Sequence, residues 1–437
     1  MKNYDRSFQY KLRLLWEYKD LLRNHFPPVT KRFVKYFAKC QQKAAFRLQG
    51  KETIDVAFFL TTPGMWKVDS LFSAMLKDPH YHPYVVIYPY SFYKGFSSEE
   101  VMQMLSRTEQ FISAKGYEYK IPYDASRNRW LDPKNMYHPD IVFFTTPYKD
   151  FPHTYYVYHY RNCLTCYVPY SFTTMNLVQA NYNLIFHNLV GIHFLETEIH
   201  RQTAERVARN GGKNLVVSGY PGTEIFLRKD YQPKDVWKHQ THPKKKVIWA
   251  PHHSIDGGML SSSFLIFCDI MLEIAQKYQD QIQIVFKPHQ LLKFKLQQLW
   301  GTERTKQYYD KWNGFENTQL EETSYIDYFF SSDAMIHDSG SFTTEYIFLN
   351  KPVMFLGVPD MDMESEFCPF GIESYRKHYH GSSKEDIERF IVDVVITEND
   401  TMFDAREQMI NRYLLPPDGK FASEKIIDFI EKKIAIG

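Results

Sequence analysis

Short runs of β-branched and aromatic residues alternate along the chain with segments whose apolar positions recur every three or four residues. The first half carries strand-like runs at Val56–Leu60, Tyr84–Tyr88, Ile141–Thr145, Leu164–Val168 and Leu215–Val217. The second carries them at Val247–Ala250, Ile282–Phe286, Ala334–His337 and Val353–Leu356. These runs are almost continuously apolar rather than alternating, which predicts strands buried on both faces. Separated by helical patterns, they predict an α/β chain with two Rossmann-like, doubly wound parallel sheets. The boundary is expected between Leu227 and Lys246, where Tyr231, Pro233, His242, Pro243 and three consecutive lysines read as a linker. That gives an N-terminal domain over 51–230 and a C-terminal domain over 231–437, closed by a helix at Ser423–Ile434.

Ahead of both lies a segment of different character. Phe8, Leu12, Leu15 and Leu22 recur at helical spacing, Pro27 and Pro28 are expected to break the chain, and a second helix is expected over Thr30–Leu48. In that helix Lys31, Lys35, Lys39, Lys43 and Arg47 form a basic stripe, with Phe33, Phe37 and Ala44 on the opposite side. Residues 1–50 hold twelve Lys and Arg against three Asp and Glu, while the whole chain is net +2, so the remainder is net acidic. Two basic amphipathic helices of this kind fit an anionic membrane surface. The alternative is a solvated face with Phe33 and Phe37 packed on the protein. A net acidic main body without a nucleic-acid motif excludes nucleic acid as a partner.

Composition changes the picture in three places. No apolar run approaches the ~18 residues of a bilayer helix, and charge interrupts the N-terminus where a secretory signal would need an apolar core. A cytoplasmic protein, peripheral on the inner face of the membrane, is expected. Five cysteines with a single close pair, Cys163 and Cys166, make no zinc or disulfide framework. Aromatic residues reach 17%, which suits either a stacked substrate cleft or an aromatic core.

Ligands of open α/β sheets bind beyond the carboxyl ends of the strands, so the post-strand loops hold the candidate chemistry. In the first half these are Thr61-Thr62-Pro63-Gly64-Met65-Trp66, Thr145-Thr146-Pro147-Tyr148 and Pro169-Tyr170-Ser171, from which Thr62, Gly64, Trp66, Thr146 and Tyr170 are candidate acceptor-side residues. ST-turns that only end strands are the alternative. In the second half Pro251-His252-His253-Ser254, Lys287-Pro288-His289 and His337-Asp338-Ser339-Gly340-Ser341 are richer. Asp338 or Ser339 is expected to cap a helix whose amino end, with Ser339 and Ser341, would hold a phosphate. Glu345, seven residues on, would accept from ribose hydroxyls. Lys287 and His289 offer one permanent and one switchable positive charge. No G-x-G-x-x-G, P-loop, G-x-S-x-G or H-E-x-x-H motif is present, which argues against dehydrogenase, P-loop, serine-hydrolase and zincin chemistry. Asp360-Met361-Asp362 spells a D-x-D pattern, but a lysine, a histidine and a helix end already supply positive charge, so no metal or other cofactor is expected.

Val217-Ser218-Gly219-Tyr220-Pro221, Trp249-Ala250-Pro251, Lys287-Pro288-His289, Asp338-Ser339-Gly340-Ser341 with Glu345, Lys351-Pro352 and Pro359-Asp360 occur in that order. Together they resemble the CDP-glycerol glycerophosphotransferase family of teichoic-acid and capsule enzymes. The resemblance implies a GT-B fold, with two domains facing a cleft and the cytidine diphosphate held in the C-terminal one. It also implies transfer of glycerol phosphate, or a related polyol phosphate, from a CDP-polyol donor to a hydroxyl of a glycan or lipid-linked acceptor. His289 matches the family's donor-site histidine, and is the catalytic candidate. Pro251, His252, His253, Lys287, Asp338, Ser339, Ser341 and Glu345 are the donor-binding candidates. Members carry a Trp-His-Gly whose histidine is regarded as the base, whereas here Leu164–Val168 leads into Pro169-Tyr170-Ser171. The alternatives are a nucleotide-sugar glycosyltransferase or epimerase of the same fold, and a non-catalytic, membrane-associated glycan binder.

Overall fold

The computed structural model describes residues 27–89, 98–149, 153–257 and 261–436. The helix expected around Phe8–Leu22 lies outside them. Two compact units are present: Met1–Ser171 with Val178–Gly222 and Lys420–Gly437, and Phe172–Leu177 with Thr223–Gly419.

Unit 1 contains strands β1 (Ile54–Leu60), β2 (Tyr81–Ile87), β3 (Tyr119–Lys120), a small antiparallel pair β4 (Tyr123–Asp124) and β5 (Arg129–Trp130), then β6 (Ile141–Phe144), β7 (Leu164–Tyr167), β8 (Ile192–Leu195) and β9 (Leu215–Val217). Its main sheet is parallel, in the order β3-β2-β1-β6-β7-β8-β9. Unit 2 contains β10 (Lys245–Ala250), β11 (Ile282–Phe286), β12 (Thr318–Leu320), β13 (Ala334–His337), β14 (Val353–Leu356) and β15 (Tyr379–Gly381), all parallel, in the order β12-β11-β10-β13-β14-β15. In both sheets the first strand is central, the next strands run outward to one side, and the later strands run to the other. That is the doubly wound order, with its switch point between β1 and β6 in unit 1 and between β10 and β13 in unit 2.

The nine expected strands all form. β8 was missed because a histidine and flanking glycine interrupt its short apolar run; β3, β12 and β15 are two- or three-residue edge strands with polar members. The aromatic excess is core. Phe58 stacks on Phe143 at 4.6 Å, and Trp249, Phe286 and Trp312 stack at 4.9–5.2 Å.

Pro27 and Pro28 open the Pro27–Phe46 helix, where amides of the first turn have no carbonyl to meet. Two expectations need correcting. The change of unit falls between Gly222 and Thr223, ahead of the predicted linker, and Phe172–Leu177 belongs to unit 2. The cause is a clamp: Cys368 N donates to Thr174 O at 2.8 Å, Asn176 N to Glu366 O at 2.8 Å, and Phe172 stacks on Phe370. The final helix, Ala422–Ile436, belongs to unit 1, where Ile426, Ile430 and Ile434 are buried and Phe429 meets Phe194 edge-on. Gly219, at φ +86°, is what admits it, because a Cβ there would stand 3.3 Å from Ala422 Cβ.

On the Pro27–Phe46 helix Val34, Phe37, Gln41, Ala44 and Ala45 are buried, while Lys31, Lys35, Lys39 and Lys43 are exposed. Gln41 Oε1 accepts from Thr165 N and Thr165 Oγ1, both at 2.9 Å, tying the helix to β7. The apolar back of the basic stripe therefore packs on the protein. No helix among the described residues is long and apolar enough to cross a membrane.

Inside unit 1, His187 and His193 stack at 5.2 Å beside Tyr167, fully enclosed and without hydrogen-bond partners on either ring. Burial holds both neutral, pushing His193 down to about 3 and His187 well below its ordinary value. When unfolded both titrate near 6.5, so as pH falls the unfolded chain binds protons that the folded one refuses. Stability conferred above pH 6.5 is lost below it, at about 1.4 kcal/mol per pH unit per imidazole. Urea unfolding at pH 6.5 and 5.5 is expected to show this loss, and His193→Phe to reduce it by about 1 kcal/mol.

Candidate active site

The carboxyl ends of β10, β11 and β13 bring three loops together beside the switch point of unit 2. His252 and His253 follow β10, Lys287 and His289 follow β11, and Asp338, Ser339 and Ser341 follow β13. His289 N donates to Pro251 O at 3.0 Å, which fixes the second loop against the first. The imidazole centroids lie 4.2 Å (His252 to His253), 4.3 Å (His253 to His289) and 5.0 Å (His252 to His289) apart. Each ring is half-buried.

All three rings are held neutral. Burial, the neighbouring imidazoles and the positive charges of Lys287 and Lys295 push His289 well below its ordinary value. Burial, His253 and Lys295 bring His252 down to about 3, and burial with Lys295 brings His253 down to about 4, against the opposing pull of Asp256. The switchable charge of His289 is therefore off in the ligand-free site. Its hydrogen bonding defines what it presents instead. Leu291 N donates to His289 Nδ1 at 3.1 Å, so in the neutral ring the proton sits on Nε2 and that nitrogen is a donor.

The trio is the one close group of three metal-ligating residue types among the described residues, its ligand atoms all within 4.8 Å of one another. A metal-binding imidazole donates from its second nitrogen, whereas His289 accepts there, and two lysines stand beside the trio. The residues fit an anion better than a cation. Asp360 and Asp362 are exposed and join no such group.

Asp338 acts through position rather than contact. Its buried carboxylate accepts from His252 N at 2.5 Å, Ser262 Oγ at 2.7 Å, Ser263 N at 2.8 Å and Ser263 Oγ at 3.1 Å. It closes the amino end of the Phe264–Lys277 helix and holds the histidine loop to the loop after β13, leaving little capacity for a ligand. The helix it was expected to cap is a single α turn, Phe342–Glu345, continued by a 3₁₀ turn, and its N-cap is Ser341, without a side-chain capping bond. Gly340 is close-packed against chain: a Cβ would stand 3.1 Å from Met175 Sδ, and Thr174 Oγ1 donates to Gly340 O at 2.8 Å. Glu345 is fully buried and accepts from Tyr325 OH at 2.7 Å, which removes it from ribose recognition in this conformation. Ser339 is buried and Ser341 half-buried in the same loop. Lys351 is scaffold, its Nζ donating to the carbonyls of Phe329, Phe330 and Ser332 at 2.6–3.0 Å and so closing the Ile326–Ser331 helix.

Sequence reasoning missed Lys295, Ser262 and Ser263. The serines carried a signal, a hydroxyl cluster directly before a helical pattern; Lys295 carried none, since the Leu292–Trp300 helix alone brings it to the trio.

In unit 1 the two Thr-Thr-Pro turns follow β1 and β6, the strands that flank its switch point. Thr145 Oγ1 donates to Phe59 O at 2.9 Å, and Tyr148 N reaches Thr146 Oγ1 at 3.4 Å, so both behave as strand-ending turns. Thr62 Oγ1 is buried there without a partner, Gly64 is exposed in the following 3₁₀ turn, and Tyr170 is half-buried near Tyr148. Trp66 is corrected from acceptor contact to core anchor: it packs on Phe58, Phe72 and Tyr117, with Nε1 donating to Asp69 at 2.7 Å.

Residues 193–432 match the family model for CDP-Glycerol:Poly(glycerophosphate) glycerophosphotransferase. The chain belongs to this family. Membership makes it a transferase by family, and no curated protein matches it. Among solved structures, the wall teichoic acid polymerase TagF is similar at 13% identity over 100% of this chain and 99% of that one, with a TM-score of 0.55. A UDP-GlcNAc 2-epimerase from Neisseria meningitidis, bound to UDP-GlcNAc, is similar at 16% identity over 87% of this chain and 100% of its own, TM-score 0.57. A putative UDP-N-acetylglucosamine 2-epimerase from Listeria monocytogenes gives 18%, 88%, 98% and 0.55. Identities this low establish the fold, a GT-B-type pair of Rossmann-like units.

Replacing Asp338 with Asn turns two acceptor oxygens into one and sets an amide donor against backbone donors. Asp338→Asn is expected to cost about 2–4 kcal/mol in urea unfolding. Ser339→Ala, which breaks no hydrogen bond of this network, should stay within about 0.5 kcal/mol of wild type.

Proposed function

We propose that this transferase takes a CDP-polyol in unit 2 and passes its polyol phosphate to a hydroxyl of a glycan or lipid-linked acceptor. The observation that carries the reading is the imidazole trio with Lys287 and Lys295 at the switch point of unit 2, within the residues that match the family. The acceptor oxygen attacks the distal phosphorus and CMP departs. Lys287 supplies permanent charge to the phosphates, His289 Nε2 and the hydroxyls of Ser339 and Ser341 donate to their oxygens, and Asp338 positions His252. With its positive charge provided by side chains, the reaction needs no metal. CDP is expected to bind at least about tenfold tighter than UDP or ADP in calorimetry. Tighter UDP binding, with release of a nucleoside diphosphate rather than CMP, would instead mark a nucleotide-sugar enzyme. His289→Ala is expected to lower kcat/KM by about 30-fold or more with the fold intact.

The same reading places the protein on the inner face of the membrane through its N-terminal basic stripe. Because Val34 and Phe37 are spent on the core, attachment rests on Lys31, Lys35, Lys39 and Lys43, with exposed Tyr36 and Phe46 among them. Phe46 lies eleven residues past Lys35, about three helical turns, on the same face. Each lysine near an anionic surface contributes about 1 kcal/mol. Reversing Lys35, Lys39 and Lys43 to Glu should abolish cosedimentation with phosphatidylglycerol vesicles at physiological salt while leaving neutral vesicles unaffected; unchanged binding would leave the stripe a solvated face.

A further inference from the structure

We propose that His252, His253 and His289 form a proton-coupled anion cradle, which takes up about one proton from solvent as a diphosphate docks against them. The choice of a diphosphate rests on the donor reading above; the coupling rests on the cluster itself. Three imidazoles packed within 4.2–5.0 Å of one another are a store of unprotonated base, and charging any one raises the cost of charging the next. The groups facing them are Lys287 from the loop after β11, Lys295 from the Leu292–Trp300 helix, Asp256 from their own loop, and Asp338, whose carboxylate is engaged with His252 N. Lys295 is itself paired with Asp256 at 2.8 Å. The empty site thus has no net negative charge to hold an imidazolium.

A diphosphate reverses that balance, because an opposite charge within a few ångströms raises an imidazole's proton affinity by about one to three pH units. The rings are not equivalent in their freedom to respond. His289 Nδ1 is taken by Leu291 N, and His252 Nδ1 lies 2.5 Å from Ser254 Oγ. His253 Nδ1 is buried and has no hydrogen-bond partner, and of the three rings His253 is the one with a carboxylate, Asp256, pulling toward the charged form. His253 is therefore the ring that takes the proton: a buffer acid gives it up, the imidazole becomes imidazolium, and the new charge lies within the trio beside the bound diphosphate. His289, its Nε2 already a donor, needs no proton to bind the same anion.

The test is calorimetry on the full chain with CDP and, separately, inorganic pyrophosphate, in two buffers of very different ionisation enthalpy. Starting from about 4 for His253, a rise of one to three units brings the ring to about 5–7, so at about pH 5.5 the heats should differ by the equivalent of up to one proton taken up per ligand, and that difference should shrink as pH rises past 7. His253→Gln, which keeps a polar side chain but cannot titrate, should bind with that uptake abolished. His289→Gln, the control should the first variant fail to fold, should weaken binding while keeping the uptake. Proton uptake with pyrophosphate but no CDP binding would uphold the cradle and sink the cytidine reading. CDP binding with equal heats in both buffers would uphold the donor reading and overturn the cradle. Full uptake in His253→Gln, or no binding of either ligand, would overturn it as well.

Discussion

The carboxylate of Asp338 is the interaction on which the candidate site of unit 2 depends. A buried carboxylate is tolerated only when its lone pairs are met, and here four donors from two separate segments converge on it. Those segments are the histidine loop after β10 and the amino end of the Phe264–Lys277 helix, while Asp338 itself follows β13. One side chain thus ties together the strands on either side of the switch point, where the sheet's hydrogen bonding continues but its connections part. Burial raises its proton affinity and the four hydrogen bonds lower it, so the network and the carboxylate's charge support one another. The imidazoles keep their spacing because His252 N is one of the four.

The strand runs were legible because a parallel sheet covered on both faces demands continuous apolar residues, and nine such runs stood out between helical patterns. The loops were legible for the same reason, since function in this topology has to sit after the strands. Roles within the loops were much less so. Asp338, Glu345 and Lys351 look alike in sequence as charged residues near a strand end, yet one is a knot between loops, one is buried against Tyr325, and one closes a helix with three bonds. Which of these a charged residue does depends on partners 19 to 86 positions away. Local pattern carries no information at that range. The ownership of Phe172–Leu177 and of the final helix was hidden likewise, because a chain can leave a domain and return without any change in composition.

Histidine shows how environment overrides residue type. Seven of them, His187, His193, His252, His253, His289, His337 and His378, are pushed toward the neutral form, and in every case burial is the largest cause. In the pairs and the trio each ring also makes its neighbour harder to charge. Burial leaves the residue type unchanged and moves its switch well below pH 6.5. What remains available at neutral pH is the tautomer, and that is set by backbone groups such as Leu291 N and Ser339 N, each donating to an Nδ1 two residues back.

The two sheets share one strand order and differ in what stands at the switch point. Unit 2 places imidazoles and lysines there; unit 1 places two Thr-Thr-Pro turns whose hydroxyls are largely consumed in ending their strands. Topology therefore fixes where a ligand can sit and leaves its chemistry to a few side chains per loop, which is why epimerases and a polymerase can carry the same architecture as this chain at under 20% identity.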